Sequence, residues 1–330
     1  MRILVTGAAG FIGSQVCRRL LARGDQVLGV DNLNSYYDVS LKRARLQELI
    51  TSPGFTFFED DVSSMNVKDG RFAGVQRIVH LAAQAGVRHS LQQPRDYIHS
   101  NLVGFLEILE FSRKQEVDHL VYATSSSVYG ANQDLPFGVG DMVNQPISLY
   151  AATKRANELM AESYSHLFEV PMTGLRFFTV YGPWGRPDMA IFDFTKKIIK
   201  GDEIILYGQG ELSRDFTFID DIVDGVIRCL DKAPASRTYV GPEINQGSSP
   251  HIILNLGRGS PVSVVDMVSM LERQLGRVAK IRLVERQPGD VDHTLADIDP
   301  TTAWCGYLPG TDLEYGIGQF CKWYQNYYTS

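Results

Sequence analysis

Short apolar runs alternate with amphipathic segments along the first half of the chain. The apolar runs, which are rich in β-branched and aromatic residues, cover 3–6, 26–30, 55–58, 77–81, 119–123 and 172–177. Between the first two runs, Ile12, Val16 and Leu20 recur at helical spacing, and Gly24 follows as a helix stop signal. Nearly continuous apolar strands separated by helices are typical of a parallel sheet covered on both faces. The pattern therefore predicts a doubly wound α/β fold.

Two longer segments, 95–115 and 148–168, carry apolar stripes at helical spacing and are predicted to be helices. The stripes suit either a seam between two copies of the chain or packing within one copy, and the pattern does not choose between them. Less regular features follow residue 180: a glycine- and proline-rich loop at 181–187, a surface excursion at 233–251, and helices at 263–276 and 316–327. The second half is therefore predicted to form a smaller, mixed α/β lobe.

The chain is mildly acidic, with 32 lysines and arginines, 38 aspartates and glutamates, and a formal net charge of -6 over 330 residues. No run of five like charges appears, so the sequence offers no electrostatic basis for binding nucleic acid or an anionic membrane. No apolar stretch approaches the roughly 18–20 residues that span a bilayer, and Met1 leads into the first strand without a signal peptide's apolar core. We therefore expect a cytoplasmic location.

The cysteines and histidines form no metal-binding or disulfide pattern. The four cysteines are scattered with no CxxC pair, and the seven histidines form no HxxxH or HExxH motif. We therefore expect free thiols and no metal site.

A glycine motif follows the first strand and opens the first helix. It reads Thr6-Gly7-Ala-Ala-Gly10-Phe11-Ile12-Gly13. Its glycines permit a tight turn and a close backbone approach, so that a pyrophosphate can lie at the helix N-terminus. Asp31, which ends the second strand, lies 18 residues past Gly13, close to the spacing of a carboxylate that binds the ribose hydroxyls. Because such a carboxylate repels a 2′-phosphate, the motif favours NAD over NADP.

A second signal is the pair Tyr150 and Lys154 on a predicted helix. Spacing of four residues places both side chains on one helix face. We expect the ammonium, together with the positive nicotinamide ring, to lower the pKa of Tyr150, so that it can take a proton from a sugar hydroxyl. The run Ser125-Ser126-Ser127 ends a predicted strand and faces the same crevice. Such pairs occur by chance on many helices, and only the preceding dinucleotide motif makes this one a candidate active site.

Together these motifs and the segment 80–83 resemble the extended short-chain dehydrogenases/reductases that modify nucleotide sugars, over residues 1–324. The resemblance implies a Rossmann NAD-binding domain at 1–176 and about 216–256, and a UDP-sugar-binding lobe at about 177–215 and 257–330. It implies that Ser125 is catalytic with Tyr150 and Lys154. Besides the glycine motif, Asp31, Tyr150 and Lys154, it assigns to the cofactor site Asn32, Asp61, Val62, Leu81, Ala82, Ala83, Gln84, Asn101 and Phe177, with Asn101 also supporting the active-site helix.

The serine run separates the reactions of this family. The dehydratases carry an aspartate and a glutamate, and the UDP-glucuronate decarboxylases a glutamate, where this chain has Ser126 and Ser127. Without those carboxylates, the resemblance implies only that C4 of the sugar is oxidised and then reduced again, which is epimerisation. NAD is then regenerated in each cycle and is expected to stay tightly bound.

The stretches 31–38, 80–88 and 176–189 resemble UDP-glucuronate 4-epimerases. A glucuronate carboxylate needs donors or a cation, and we expect them from the serine run, Thr179 and Arg186. Candidates for the UDP end are Arg88, Arg214 and Asp290, and Gln287 rather than Arg286 is favoured for the contact near them.

Other readings stay open. They are a 4-epimerase of UDP-glucose, UDP-galactose or UDP-N-acetylhexosamine, a UDP-glucuronate decarboxylase, and a non-catalytic dinucleotide-binding protein. We also expect a homodimer formed through the helices near 95–115 and 148–168.

Overall fold

The computed structural model describes residues 1–65, 69–235, 249–286 and 291–329. Its strands are β1 Arg2–Thr6, β2 Gln26–Asp31, β3 Phe55–Glu59, β4 Arg77–His80, β5 His119–Ser125, β6 Met172–Phe177, β7 Thr179–Tyr181, β8 Glu203–Leu206, β9 Ser213–Phe218, β10 His251–Leu256, β11 Pro261–Ser263 and β12 Lys280–Leu283. Seven of them form one sheet in the order β10-β6-β5-β4-β1-β2-β3, and every pair in it is parallel.

This sheet confirms the predicted doubly wound α/β fold. The six predicted strands match β1 to β6, and no end differs by more than two residues. The strand order reverses between β1 and β4, which opens a crevice at the carboxyl ends of these strands, where α/β proteins bind ligands. Ile3, Leu4 and Val5 are fully buried, because helices cover both faces of the sheet.

The helices pack around the sheet and in the second lobe. They are α1 Phe11–Ala22, α2 Val39–Ile50, α3 His89–Gln92, α4 Pro94–Tyr97, α5 Gly104–Lys114, α6 Leu149–Phe168, α7 Ala190–Lys200, α8 Ile219–Asp231, α9 Val264–Leu275, α10 Asp299–Cys305 and α11 Leu313–Tyr328. In α1, Val16 and Leu20 are buried as the pattern predicts, and Gly24 follows the helix with φ of +89°. In the part of the chain that the structure describes, no helix is both long and apolar enough to cross a membrane.

The segment 95–115 is not the regular helix that the pattern predicts. A π-helical stretch, Ile98–Val103, separates α4 from α5. The wider turn places Asn101 against the backbone of Gln84, where its amide makes two hydrogen bonds. The periodicity of apolar residues does not reveal this local widening, because the apolar stripe continues across it.

The second half contains more regular structure than its pattern predicts. β11, β9 and β7 form a three-stranded sheet, and β12 pairs with β8. The strand β7 includes Tyr181, so the predicted loop begins at Gly182. The helices α7 and α8 were not predicted, although α8 packs directly on α1. Of the predicted excursion at 233–251, residues 236–248 lie outside the described residues.

Candidate active site

A cleft of about 870 Å³ lies at the carboxyl ends of the central strands and extends to β8 and β9. Of the residues predicted from the sequence, those lining it are Gly7, Gly10, Phe11, Ile12, Gly13, Asp31, Asn32, Asp61, Val62, Leu81, Ala82, Ala83, Gln84, Arg88, Ser125, Ser126, Ser127, Tyr150, Lys154, Phe177, Thr179, Arg186 and Arg214. Asn101 is not among them, and Asp290 and Gln287 lie outside the described residues. One cleft thus brings together the predicted cofactor and sugar residues.

The glycine loop has the close backbone packing that a dinucleotide cradle requires. Gly7 has φ of +70°, and a Cβ there would lie 2.8 Å from the backbone nitrogen of Ala82. A Cβ on Gly13 would lie 2.0 Å from the carbonyl oxygen of Gly7. Gly10 precedes α1 without a side-chain cap, so that the first N–H groups of the helix have no capping side chain. These residues fit a pyrophosphate at the helix N-terminus.

Asp31 accepts hydrogen bonds from two neighbouring loops. Its Oδ2 accepts a hydrogen bond from the N–H of Ala9 at 3.1 Å, and its Oδ1 accepts one from the N–H of Leu33 at 2.9 Å. Burial raises the pKa of Asp31, and the charges of Lys42 and Arg45 oppose that rise. Asp31 is therefore a buried carboxylate at the cleft wall, in a position suited to ribose hydroxyls.

Behind Asp31, the edge of the cleft is held by a second carboxylate. Asn32 donates its side-chain N–H to Asp61 at 2.8 Å. The Oδ1 of Asp61 also accepts from the backbone N–H of Ser63 at 2.9 Å, which fixes the 62–64 turn beside Val62. These bonds hold the pKa of Asp61 below its usual value although burial alone would raise it.

Asn101 supports the cleft wall from behind. Its Oδ1 accepts from the N–H of Gln84 at 2.8 Å, and its Nδ2 donates to the Gln84 carbonyl at 3.0 Å and to the Thr153 hydroxyl at 3.0 Å. Asn101 is not among the residues that line the cleft, and its cofactor contact stays a prediction. The side chain instead ties the wall at Gln84 to α6, which carries Tyr150 and Lys154.

The candidate catalytic residues meet where β5 ends and α6 begins. Ser148 caps α6, because its hydroxyl accepts from the N–H of Ala151 at 3.1 Å. One turn of helix then separates Tyr150 from Lys154, and both line the cleft with Ser125. The ammonium of Lys154 donates to the carbonyl of Ala123 at 2.8 Å, which ties α6 to β5.

Burial is the largest influence on the pKa values of Tyr150 and Lys154. Burial raises the pKa of Tyr150, and hydrogen bonding with Ser125 offsets only part of that rise. Burial also lowers the pKa of Lys154 to about 8. The sequence prediction combines the Lys154 ammonium, which donates to a main-chain carbonyl here, with the positive nicotinamide ring, so the lowering of the Tyr150 pKa in the complex stays a prediction.

A buried ion pair that was not predicted supports the same helix. Glu158, one turn after Lys154, accepts from Arg176 Nε at 2.9 Å and Nη2 at 3.0 Å, and from the Thr124 hydroxyl at 2.8 Å. Only 1% of the Glu158 side chain and 2% of the Arg176 side chain are exposed. The pair locks α6 to β5 and β6. In the sequence, Arg176 is the one charged residue of an otherwise largely apolar strand pattern, whereas Glu158 is one of several charged residues of α6.

On the sugar side, Arg186 is already paired. Its guanidinium donates from Nε to Asp188 at 3.0 Å, and Asp188 also accepts from the Tyr36 hydroxyl at 3.1 Å. Arg186 is therefore held in a fixed position by a carboxylate. The sequence analysis did not predict this partner. Asp188 and Tyr36 also line the cleft.

Ser125 and Ser127 hydrogen-bond each other at the cleft wall. The N–H of Ser127 donates to the hydroxyl of Ser125 at 3.2 Å, and the two hydroxyls lie 3.2 Å apart. Thr179 begins β7 and also faces the cleft. The predicted hydroxyl donors and Arg186 thus line the same cleft.

Two further predicted arginines, Arg88 and Arg214, also line the cleft. Arg88 lies over the ring of Tyr207, with its guanidinium carbon 4.6 Å from the ring centre. Arg214 donates to the carbonyls of Ser213 and Asp292 at 2.8 and 3.0 Å. Arg286 is not among the lining residues, and it pairs with Asp292 at 2.7 Å.

The four cysteines have free thiols. Within 1–65, 69–235, 249–286 and 291–329, no group of three or more histidine, cysteine, aspartate or glutamate side chains is arranged to hold a metal ion.

Comparisons with known proteins agree with this geometry. Residues 3–241 match the NAD dependent epimerase/dehydratase family. The chain is 48% identical to Protein CapI of Staphylococcus aureus, over 99% of both chains, and 46% identical to UDP-glucuronate 4-epimerase 4 of Arabidopsis thaliana, over 99% of this chain and 76% of that protein. Among solved structures, UDP-glucuronic acid 4-epimerase from Bacillus cereus in complex with UDP-glucuronic acid and NAD matches with a TM-score of 0.90 and 30% identity, covering 99% of this chain and 100% of that one.

Proposed function

The chain belongs to the NAD dependent epimerase/dehydratase family, and we propose that it converts UDP-glucuronate to UDP-galacturonate by NAD-dependent epimerisation at C4. The observation that carries the proposal is the composition of the cleft. It joins a dinucleotide cradle to Tyr150, Lys154 and a hydroxyl-rich sugar end that holds Arg186 but no carboxylate in the serine run.

NAD, when bound, accepts a hydride from C4 of the sugar and returns it to the opposite face of the 4-keto sugar. The residues that would hold it are the glycine loop, Asp31, and the wall from Leu81 to Gln84. The close backbone packing at Gly7 and Gly13 fits this role. Asp31 at the ribose position favours NAD over NADP.

The chain's own groups move the proton. Tyr150 takes the proton of the C4 hydroxyl and returns it after the sugar has turned over, while Ser125 hydrogen-bonds the reacting oxygen. The positive charge of Lys154 stabilises the phenolate that this requires. Since Ser126 and Ser127 carry no carboxylate, the site has no acid and base there to remove water from the sugar.

The sugar end has a further task. A 4-keto glucuronate is a β-keto acid, which loses carbon dioxide readily unless its carboxylate is held. Thr179, the serine hydroxyls and Arg186 supply the donors, and the pairing of Arg186 with Asp188 fixes the direction of its remaining N–H groups. Arg88, Arg214 and Asp290 hold the diphosphate and nucleoside.

The test is product analysis after incubating the purified protein with UDP-glucuronate, with UDP-glucose and UDP-N-acetylglucosamine as parallel substrates. We expect UDP-galacturonate, and Tyr150→Phe should abolish its formation while NAD and UDP still bind. Turnover of only the neutral UDP-sugars, or release of carbon dioxide with a UDP-pentose product, would refute the substrate or the reaction.

The role of the sugar end is tested separately. We expect Thr179→Ala and Arg186→Ala to weaken turnover of UDP-glucuronate, because each removes a donor to its carboxylate. Unchanged kinetics in both variants would rule out their assignment.

We also propose a homodimer through the helices near 95–115 and 148–168. Large apolar side chains that are exposed on these segments support it: Ile98, Val103, Leu106, Leu159, Leu167 and Phe168. Light scattering should give twice the 36.8 kDa chain mass, and Leu159→Glu should give the monomer. Leu308→Glu is the control, because Leu308 is also exposed but lies outside these segments, and it should leave the mass unchanged. A wild-type monomer would refute the dimer.

The division into an NAD domain at 1–176 and about 216–256, and a sugar lobe at about 177–215 and 257–330, is part of the proposal. The cytoplasmic location is another part, and the absence of a disulfide pattern among the cysteines supports it. Fractionation that finds the protein with periplasmic or secreted markers would refute the location.

A further inference from the structure

Arg45, on α2, is a buried arginine with no carboxylate partner among the described residues. Only 1% of it is exposed, yet its guanidinium is saturated by neutral acceptors. Nη1 donates to the Ala9 carbonyl at 3.1 Å and to the Tyr37 hydroxyl at 2.7 Å. Nε and Nη2 both donate to the Trp184 carbonyl, at 3.1 and 2.6 Å, and Nη2 also reaches the Gly185 carbonyl at 3.2 Å.

These acceptors belong to three separate segments of the cleft wall. Ala9 is in the glycine loop, Tyr37 follows β2, and Trp184 and Gly185 immediately precede Arg186. A single side chain thus connects the cofactor cradle to the sugar end. A planar fork with five donors can bridge such scattered carbonyls, whereas a lysine ammonium cannot.

The segment that Arg45 binds contains an unfavourable backbone conformation. Trp184 has φ of +66°, a left-handed conformation that side chains with a Cβ rarely adopt. Its ring packs against Trp323 and Tyr327 of α11, with centroids 5.3 and 5.2 Å away. Arg45 binds the other side of the same residue through its carbonyl. The backbone before Arg186 is therefore fixed from both sides.

We propose that Arg45 is a positioning residue for sugar specificity, which sets the place of Arg186 relative to the cofactor cradle. The inference rests on the proposed function, in which Arg186 binds the sugar carboxylate. Arg45 itself touches neither sugar nor cofactor in this role. It acts through the main chain of Trp184 and Gly185.

The first test is kinetic, on the holoenzyme. Arg45→Lys should raise the KM for UDP-glucuronate about tenfold, as expected for loss of one hydrogen bond made by a charged group, with a much smaller change in kcat. The Kd for UDP, which lacks the sugar carboxylate, should change by less than about twofold. Arg43→Lys is the control, since Arg43 is on the same helix with an exposed side chain, and it should behave as wild type.

A double variant separates positioning from general destabilisation. If Arg45 acts through Arg186, then Arg45→Lys combined with Arg186→Lys should raise the KM no more than Arg186→Lys alone. Additive effects on the KM, or an equal loss of UDP affinity, would overturn the proposal.

A second test does not depend on the substrate. Deuterium exchange of the segment 182–189 should be faster in Arg45→Lys than in wild type or Arg43→Lys. Unchanged exchange would overturn the role of Arg45 even if UDP-glucuronate is turned over. Faster exchange in a protein that does not epimerise UDP-glucuronate would keep Arg45 as the residue that positions this segment and refute the proposed function instead.

Discussion

Replacing Glu158 by glutamine probes the buried ion pair behind the active site. The change keeps the size of the side chain and one accepting oxygen, but it removes the charge that Arg176 faces. Arg176 is 2% exposed and donates to both carboxylate oxygens, so it cannot turn to solvent without repacking β6. Glu158→Gln therefore leaves an uncompensated buried cation.

The size of the effect follows from that burial. Removing one partner of a buried, hydrogen-bonded pair costs about 3–5 kcal/mol of the free energy of unfolding. A chain of 330 residues has an unfolding entropy of about 0.7 kcal/mol/K, so the Tm should fall by about 4–7 °C at pH 7. The kcat should fall as well, because the pair locks α6 to the strand that carries Ser125.

Calorimetry of wild type and Glu158→Gln is the assay, with Glu110→Gln as the matched control. Like Glu158, Glu110 is paired with cations, in this case Arg113 and Lys114. These pairs lie at the surface of α5, where ion pairs contribute little to stability. Its Tm should therefore change far less. Equal shifts in the two variants, or no shift in Glu158→Gln, would refute the reasoning from burial.

The same pair gives a pH signature. Burial alone would raise the pKa of Glu158, but the Arg176 guanidinium holds it below its usual value. A lowered folded-state pKa adds stability above the unfolded-state pKa of about 4.3, and this stability is lost as the pH falls through the folded value. The Tm gap between wild type and Glu158→Gln should thus narrow only below about pH 4.

Three further predictions concern the cleft. Gly13→Ala would place a Cβ 2.0 Å from the Gly7 carbonyl oxygen and should abolish retention of NAD, measured by absorbance of the extracted cofactor; Gly70→Ala, with no atom within 4 Å, should retain it. Because burial lowers the pKa of Lys154 to about 8, activity should fall above about pH 8 as the ammonium is lost. Lys154→Arg should move this loss of activity to higher pH, and an unchanged pH–activity profile would contradict the assignment. Asn101→Ala leaves both backbone groups of Gln84 without their partner and should lower the Tm and kcat together, while an unchanged kcat would show that the wall holds without it.

Local patterns were enough to predict the sheet and the cofactor cradle. The strands β1 to β6 are apolar nearly throughout, and the glycine spacing at 7–13 has its strand before it and its helix after it, so each feature is encoded within a few residues. The strands β7, β9 and β11 are short and pair across long separations, so no local period marks them. The same holds for Arg45, whose acceptors at Ala9 and Trp184 are 36 and 139 residues away.

The surroundings of Tyr150 also depend on a contact that the local pattern does not determine. Helical spacing fixes that Tyr150 and Lys154 share a face, but not which acceptor the ammonium takes, and the Ala123 carbonyl on β5 takes it. Burial then raises the pKa of the phenol, so that the chain alone keeps Tyr150 protonated at neutral pH. Activation of this base therefore requires the positive charge that the cofactor brings into the cleft in addition to that of Lys154. It follows that a variant such as Gly13→Ala should lose cofactor retention and base activity together, although residue 13 is far from the phenol in sequence.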